Sequence, residues 1–192
     1  MADKSNTRGK FIKEFMKEKK QVGAVAPSSK QLCNKMCKPI DFVKAEVIVE
    51  LGPGTGVVTR ELVSRMNPDT RLLVLETNKT FYESLKEEFK DNKNIHLYNR
   101  SAEDIIDVLK ENELNEESVD AVVSSLPLTV IPNEIVNKIV INSKKSLKVK
   151  GQYIQFQYSL NAKKLLKRVF KEVKISFTPI NMPPAFIYTC KK

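Results

Sequence analysis

The run Val47-Ile48-Val49-Glu50-Leu51-Gly52-Pro53-Gly54-Thr55-Gly56 decides the fold of this 192-residue chain. A short apolar run is the mark of a buried parallel strand. Glycine is needed where backbone turns with positive φ or approaches a ligand closely, and Gly52, Gly54 and Gly56 follow the run at alternate positions. The pattern predicts a strand that ends in a tight turn and opens into a helix. That junction lies at the carboxyl edge of a sheet, where open α/β sheets bind nucleotide-like ligands. The dinucleotide pattern G-x-G-x-x-G would put its third glycine at position 57, which is Val57. Here the spacing is G-x-G-x-G, with an acid, Glu50, ahead of it.

Outward from this stretch, strand and helix alternate. The apolar patterning predicts strands at about 46–51, 71–76, 95–99, 119–124 and 152–158, with helices at about 56–66, 79–89, 133–143 and 162–169. A late strand-turn-strand follows at about 173–177 and 185–190. The basic stretch Lys144–Lys150 reads as a loop. Strand two ends in Glu76, 20 residues beyond Gly56, where an acid accepts hydrogen bonds from ribose hydroxyls. After strand three, Ser101-Ala102-Glu103-Asp104 has two readings. Ala102 leaves room for an adenine ring, with Glu103 or Asp104 accepting its amino group. Equally, Ser101 caps the next helix with Asp104 as its N3 partner.

The net charge of +10 is segregated. Residues 1–44 carry eleven Lys and Arg against four acids, residues 45–143 ten against eighteen, and residues 144–192 twelve against one. An acidic middle between two basic ends expects a polyanion, either nucleic acid or anionic lipid. Phe11, Ile12, Phe15 and Met16 fall at helical spacing, beside a stripe of Lys10, Lys13, Lys17 and Lys20. Such a helix suits a membrane interface, or it packs its apolar stripe on the domain and leaves the lysines solvated. Gly23-Ala24-Val25-Ala26-Pro27-Ser28-Ser29 breaks it, and a second helix, capped by Ser28 or Ser29, runs to about Cys37. That second segment either closes over a cofactor or serves as an ordinary turn. The organisation is therefore residues 1–44, a basic amphipathic helix and a cofactor-capping helix, ahead of a core at 45–192.

No apolar run approaches the roughly 20 residues of a membrane-spanning helix, and the N-terminus lacks the apolar core of a secretory signal. Cys33, Cys37 and Cys190 form no disulfide framework. Cys33 and Cys37 lie i, i+4 on a helix, but with His96 the sole histidine free thiols in a cytoplasmic protein are the better reading, and no metal is expected.

The loop Glu50-Leu51-Gly52-Pro53-Gly54-Thr55-Gly56 resembles the glycine loop of class I S-adenosylmethionine-dependent methyltransferases. The resemblance implies an α/β, Rossmann-like fold: a mostly parallel seven-stranded sheet with an antiparallel C-terminal pair and helices on both faces. It implies S-adenosyl-L-methionine as cofactor, held by Glu50, Gly52, Gly54, Gly56, Glu76, Ala102, Glu103 and Ser124. The loop after strand four faces the departing methyl group in this superfamily. In rRNA adenine dimethylases and DNA amino-methyltransferases it reads Asn/Asp-Pro-Pro-Tyr or Asn-Leu-Pro-Tyr. Its last aromatic stacks on the base, a contact worth about 1–3 kcal/mol. This chain has Ser125-Leu126-Pro127-Leu128, and Leu128 offers no such platform.

Five stretches instead resemble bacterial phospholipid N-methyltransferases, which act on phosphatidylethanolamine. They are Gly23-Ala-Val-Ala-Pro-Ser-Ser, the glycine loop, Ser125-Leu-Pro-Leu, Gln155-Phe-Gln-Tyr and Asn181-Met-Pro-Pro-Ala. This resemblance implies N-methylation of an amino-lipid headgroup at the cytoplasmic face of a membrane. The chemistry is an in-line displacement at the sulfonium methyl, with Ser125, Pro127 and Tyr158 at the reacting centre. Tyr153, Phe156 and Tyr158 are candidates for an aromatic wall against a methylated ammonium, a contact worth roughly 0.5–2 kcal/mol. Lys10, Phe11, Lys13, Phe15, Lys17 and Lys20 would meet the anionic surface. Two other readings stay open: an rRNA or DNA adenine N-methyltransferase, and a catalytically silent protein that docks on membranes or RNA.

Overall fold

The computed structural model describes residues 30–181 and 183–192. The helix expected over residues 10–21 and the break at 23–29 lie outside them. The described chain begins with α1 (Lys30–Cys37), then β1 (Val47–Leu51), α2 (Val57–Val63), β2 (Arg71–Leu75), α3 (Lys79–Glu88) and β3 (Ile95–Tyr98). A 3₁₀ turn (Ala102–Asp104) runs into α4 (Ile105–Glu111), followed by β4 (Val119–Ser124), α5 (Asn133–Ser146) and β5 (Leu147–Gln157). The last elements are α6 (Lys163–Val169), β6 (Glu172–Thr178) and β7 (Ala185–Lys191).

The seven strands form one sheet in the order β3-β2-β1-β4-β5-β7-β6. Strand β1 pairs in parallel with both β2 and β4. The chain steps from β1 out to β3, then returns to lay β4 against the other side of β1. The order therefore reverses beside β1, the kind of point at which α/β sheets place their ligands. Strand β7 runs antiparallel to both β5 and β6, so the expected late antiparallel pair is present.

Alternation along the strands divides the core into two layers. Val47, Val49 and Leu51 of β1 face Ile105, Val108, Val136, Ile139, Leu166 and Tyr153. Ile48 faces the other way, toward Leu32, Cys33, Met36 and Cys37 of α1 and Val58 and Leu62 of α2. All five residues of β1 are buried, which is why an apolar run with one acid marks this strand. The same alternation sends Glu50 into the layer beneath α1 and α2.

The basic stretch 144–150 is not a loop. Helix α5 continues through Ser146 and β5 begins at Leu147, opposite Val119. The next aligned pair is Ala121 with Gln152, so β5 bulges in between, and Lys150 takes a φ of 73°. Lysine is a good helix former, and two of these ammonium groups have partners. Lys144 donates to the Val169 carbonyl at 2.8 Å, and Lys148 pairs with Glu46 at 2.6 Å and Asp120 at 3.0 Å.

Candidate active site

The glycine loop leaves β1 at the switch point and turns through Gly52, Gly54 and Gly56 at φ of 67°, 58° and 79°. Two of these positions explain their residue type most directly. A Cβ on Gly52 would come within 2.5 Å of Leu126 Cδ2, so the loop lies against the segment that follows β4. Among the described residues, a Cβ on Gly54 would meet no atom within 4 Å, so that side of the turn is open to them. The backbone is therefore bare where a ligand would rest on it.

Glu76 closes the loop from the neighbouring strand. Its Oε2 accepts the Gly54 N–H at 3.0 Å, and its Oε1 accepts the Asn78 N–H at 2.7 Å. Burial raises the carboxyl pKa, and these backbone donors lower it in part. A carboxylate offers about four lone-pair sites, so these backbone donors leave acceptor capacity for a ribose hydroxyl. Asn78 also caps α3, its side chain accepting from the Thr80 and Phe81 amides, which fixes the turn that carries Glu76.

Glu50 is fully buried, and among the described residues neither of its oxygens nor the Thr59 hydroxyl makes a well-formed hydrogen bond. Burial is the main cause that pushes its pKa up to about 8; the nearby Thr59 hydroxyl lowers it and the charge of Glu76 raises it. A buried carboxyl group beneath a glycine loop without well-formed hydrogen bonds is costly unless a partner arrives.

Ser101 caps the 3₁₀ turn by accepting from the Glu103 amide at 3.3 Å, and its hydroxyl donates to Glu103 Oε2 at 3.1 Å. The partner of the cap is thus Glu103, not the expected Asp104. A 3₁₀ turn is tighter than an α-helix, which brings the second following residue to the cap rather than the third. Asp104 lies instead 3.6 Å from Arg100. Ala102 is buried, and the Glu103 carboxylate also lies 3.5 Å from the Lys138 ammonium.

The segment after β4 is held on several sides. The Ser125 N–H donates to the Leu51 carbonyl at 3.0 Å, joining it to the base of the glycine loop. The Leu126 N–H reaches the Ser124 hydroxyl at 3.4 Å. The Leu126 carbonyl accepts the Leu128 N–H at 2.9 Å, Gln155 Nε2 at 3.0 Å and Gln157 Nε2 at 2.8 Å. Ser125 and Pro127 are half-buried, whereas Leu128 is 5% exposed within the core.

Of the three aromatics on β5, Tyr153 leaves the site: it is fully buried and stacks on Phe170 at 5.4 Å between centroids. Phe156 and Tyr158 share a face, as alternation predicts, with a T-shaped contact at 5.6 Å. Burial raises the Tyr158 pKa, and a hydrogen bond with Asn181 lowers it in part. Asn181 is buried and donates to the Pro183 carbonyl at 2.7 Å. The structure thus joins the end of Gln155-Phe-Gln-Tyr to Asn181. Gln155, Gln157 and Asn181 are buried polar residues that support the loop after β4 and Tyr158, a role their sequence alone does not reveal. The available signal was polar residues in an apolar strand, since buried amides need partners.

Cys33, Cys37 and Cys190 are buried thiols, with burial pushing their pKa values up to about 11, 12 and 12. Among the described residues no helix is long and apolar enough to cross a membrane.

A positive-φ glycine loop at the switch point, an acid on β2 and the seven-stranded order with a final antiparallel pair define a class I S-adenosylmethionine-dependent methyltransferase. The residues present fit that cofactor: among the described residues Glu50 has no well-formed hydrogen bond, nothing lies over the open side of Gly54, and Glu76 retains acceptor capacity. The chain belongs to the ribosomal RNA adenine dimethylase family, whose family model matches residues 11–172. It is 32% identical over 182 residues to an ornithine lipid N-methyltransferase of Singulisphaera acidiphila, covering 94% of each chain. It is also 32% identical over 115 residues to ribosomal RNA small subunit methyltransferase A of a Sulfurihydrogenibium species, covering 60% of this chain and 43% of that one. In fold it matches the 1,6-didemethyltoxoflavin-N1-methyltransferase of Burkholderia thailandensis, solved with S-adenosylhomocysteine, with TM-score 0.71, 10% identity and coverage of 100% and 92%.

Proposed function

We propose that this protein methylates the amine of an amino-lipid headgroup, of the phosphatidylethanolamine or ornithine-lipid type, at the cytoplasmic surface of a membrane. The observation that carries this reading is Leu128. Where nucleic-acid enzymes present an aromatic face to a flipped base, this loop turns a leucine into the core. The similarity to an ornithine lipid N-methyltransferase along 94% of both chains supports the same acceptor class.

When bound, S-adenosylmethionine supplies an electrophilic methyl group. The chain's own contribution is positioning, which can supply several kcal/mol. Ser125 presents a hydroxyl beside the glycine loop to orient the incoming amine, and Pro127 fixes the turn beyond it. Tyr158 offers an exposed ring to an ammonium that grows more apolar with each methyl. The amine must arrive neutral, its proton passing to water at the opening. Support for a lipid surface comes from Leu160, Phe177 and Ile180, which are 45%, 48% and 69% exposed, and from the excess of twelve cations over one acid in the sequence from 144 onward.

The family description and the small-subunit methyltransferase relatives favour a second reading, methylation of RNA. Labelled S-adenosylmethionine offered in parallel to phosphatidylethanolamine vesicles, ornithine-lipid vesicles and ribosomal RNA separates them. Label in the lipid extract is expected. Label in RNA alone would establish the second reading, and label in neither would make the protein a silent binding module.

A further inference from the structure

We propose that Gln155 and Gln157 are positioning residues that hold the Ser125–Leu128 loop in register with the glycine loop by gripping one atom, the Leu126 carbonyl oxygen. Both side chains are buried on β5, at successive positions of one face. A buried carboxamide persists only where its donors and acceptor are satisfied. Both send Nε2 to Leu126, 29 and 31 residues away in the chain, at 3.0 and 2.8 Å. The loop's own Leu128 N–H reaches the same oxygen at 2.9 Å.

Three donors on one carbonyl exceed its two lone pairs. Satisfying that oxygen would need at most one glutamine, so the arrangement fixes the oxygen's position. Gln155 is itself held, accepting the Tyr153 hydroxyl at 2.8 Å and donating to the Phe156 carbonyl at 2.7 Å. Tyr153 is in turn stacked on Phe170 in the core. The grip therefore runs from packed aromatics through Gln155 to the loop.

Leu126 transmits this to the cofactor side. Its side chain occupies the space that a Cβ on Gly52 would need, and the neighbouring Ser125 N–H is bonded to Leu51. With Leu126 and Leu128 apolar and Pro127 lacking a polar side chain, the Ser125 hydroxyl is the one side-chain polar group of the loop. Fixing Leu126 on one side and the Leu51 carbonyl on the other sets where that hydroxyl sits. This inference rests on the proposal that the loop faces the acceptor, and the carbonyl grip itself can be tested without any acceptor.

Gln157→Met removes the donors at nearly constant volume. Gln157→Glu keeps the shape but opposes a carboxylate to the carbonyl, and regains a donor when protonated. In Gln157→Met, amide hydrogen exchange across residues 125–130 is expected to quicken while the melting temperature and S-adenosylmethionine affinity stay near those of the wild type. Turnover on the accepted substrate, lipid or RNA, should fall on the order of 10- to 100-fold, as for a small misplacement of reacting groups, with the loss in kcat rather than KM. The turnover of Gln157→Glu relative to wild type should recover as pH falls. Unchanged exchange over 125–130 overturns the grip. A kcat loss that merely tracks loss of melting temperature or cofactor affinity overturns the positioning role. If wild type labels RNA and not lipid, the acceptor reading fails while the kcat comparison on RNA still decides this one. If it labels neither, the catalytic part fails and the exchange result alone decides the grip.

Discussion

Glu76 Oε2 accepts the Gly54 N–H at 3.0 Å, tying the end of β2 to the tip of the glycine loop across 22 residues of sequence. The same carboxylate holds the Asn78 amide, so one buried acid shapes the cofactor turn and the start of α3 together. Hydrogen bonds to charged groups are worth about 1.5–3 kcal/mol each. Glu76→Ala should therefore weaken S-adenosylmethionine binding by at least about tenfold. Glu76→Gln should also weaken it, since its NH₂ can face a backbone N–H. Isothermal titration that returned wild-type affinity for both variants would remove Glu76 from the site.

Gly52 and Gly54 predict opposite failures. Gly52→Ala forces a Cβ to within 2.5 Å of Leu126 Cδ2 at a φ of 67°, so it should lower stability by about 1–3 kcal/mol and displace the loop after β4. Gly54→Ala meets no atom of the described residues within 4 Å. Its cost in stability is only the left-handed conformation, about 1–2 kcal/mol, yet its methyl fills the open side of the turn. Thermal melts with and without S-adenosylmethionine separate the two. Gly54→Ala should lose most of the ligand-induced rise in melting temperature.

The glycine loop and Glu76 were legible because each is written locally: a strand, a turn and an acid at a fixed spacing. The glutamines were not, because their meaning lies in a partner 29 and 31 residues away. No periodicity reveals that two amides share one carbonyl. Residues 144–150 were misread for a different reason. Their charge density suggested a solvated loop, whereas Lys144 and Lys148 spend their ammonium groups on Val169, Glu46 and Asp120. At Ser101 the cap was legible, but its partner turned on whether the first turn was 3₁₀ or α. That choice belongs to the packing of Ala102 and Ile105 in the core.

Glu50 makes the unliganded protein sensitive to pH. Burial pushes its folded pKa up to about 8 from the ordinary 4.5 of a glutamate, so the folded protein keeps a proton that the unfolded chain releases. The stability linked to that proton is fully present below about pH 4.5. It is lost as pH rises toward about 8, at no more than about 1.4 kcal/mol per pH unit. Melting temperature of the unliganded protein should therefore carry a falling component between pH 5 and 8 that Glu50→Gln removes. A cationic ligand favours the ionised carboxylate, so cofactor binding near pH 7 should release protons. Calorimetry in buffers of different ionisation enthalpy measures that release, and its absence would take Glu50 out of contact with the ligand's charge.

Tyr158 and Asn181 should divide the work of their contact. The ring of Tyr158 packs edge-on against Phe156, and its hydroxyl bonds with Asn181. If the ring face stabilises a methylated ammonium, Tyr158→Phe keeps that contribution and Tyr158→Ala loses it. The expected loss is about 0.5–2 kcal/mol, near 2- to 30-fold in turnover of the partly methylated amine. Asn181→Ala should resemble Tyr158→Phe if the hydroxyl only steadies the ring. Equal turnover for Tyr158→Phe and Tyr158→Ala on mono- and dimethylated acceptors would return Tyr158 to a packing role.

The membrane proposal predicts a salt-sensitive partition. Basic residues near an anionic leaflet contribute about 1 kcal/mol each at close approach, falling off within a Debye length. Sedimentation with vesicles should rise with anionic lipid content and fall between low and high salt, and loss of residues 1–20 should weaken it. Ile180→Asp and Leu160→Asp test the exposed apolar rim separately. Each adds a charge at an exposed position without opening the core, so folding should survive while vesicle binding drops. Cofactor affinity should be unchanged in both. Binding that ignored salt, anionic lipid and the two rim variants would exclude this edge as the docking face. RNA binding that followed the same salt dependence while vesicles were ignored would assign the basic surface to nucleic acid.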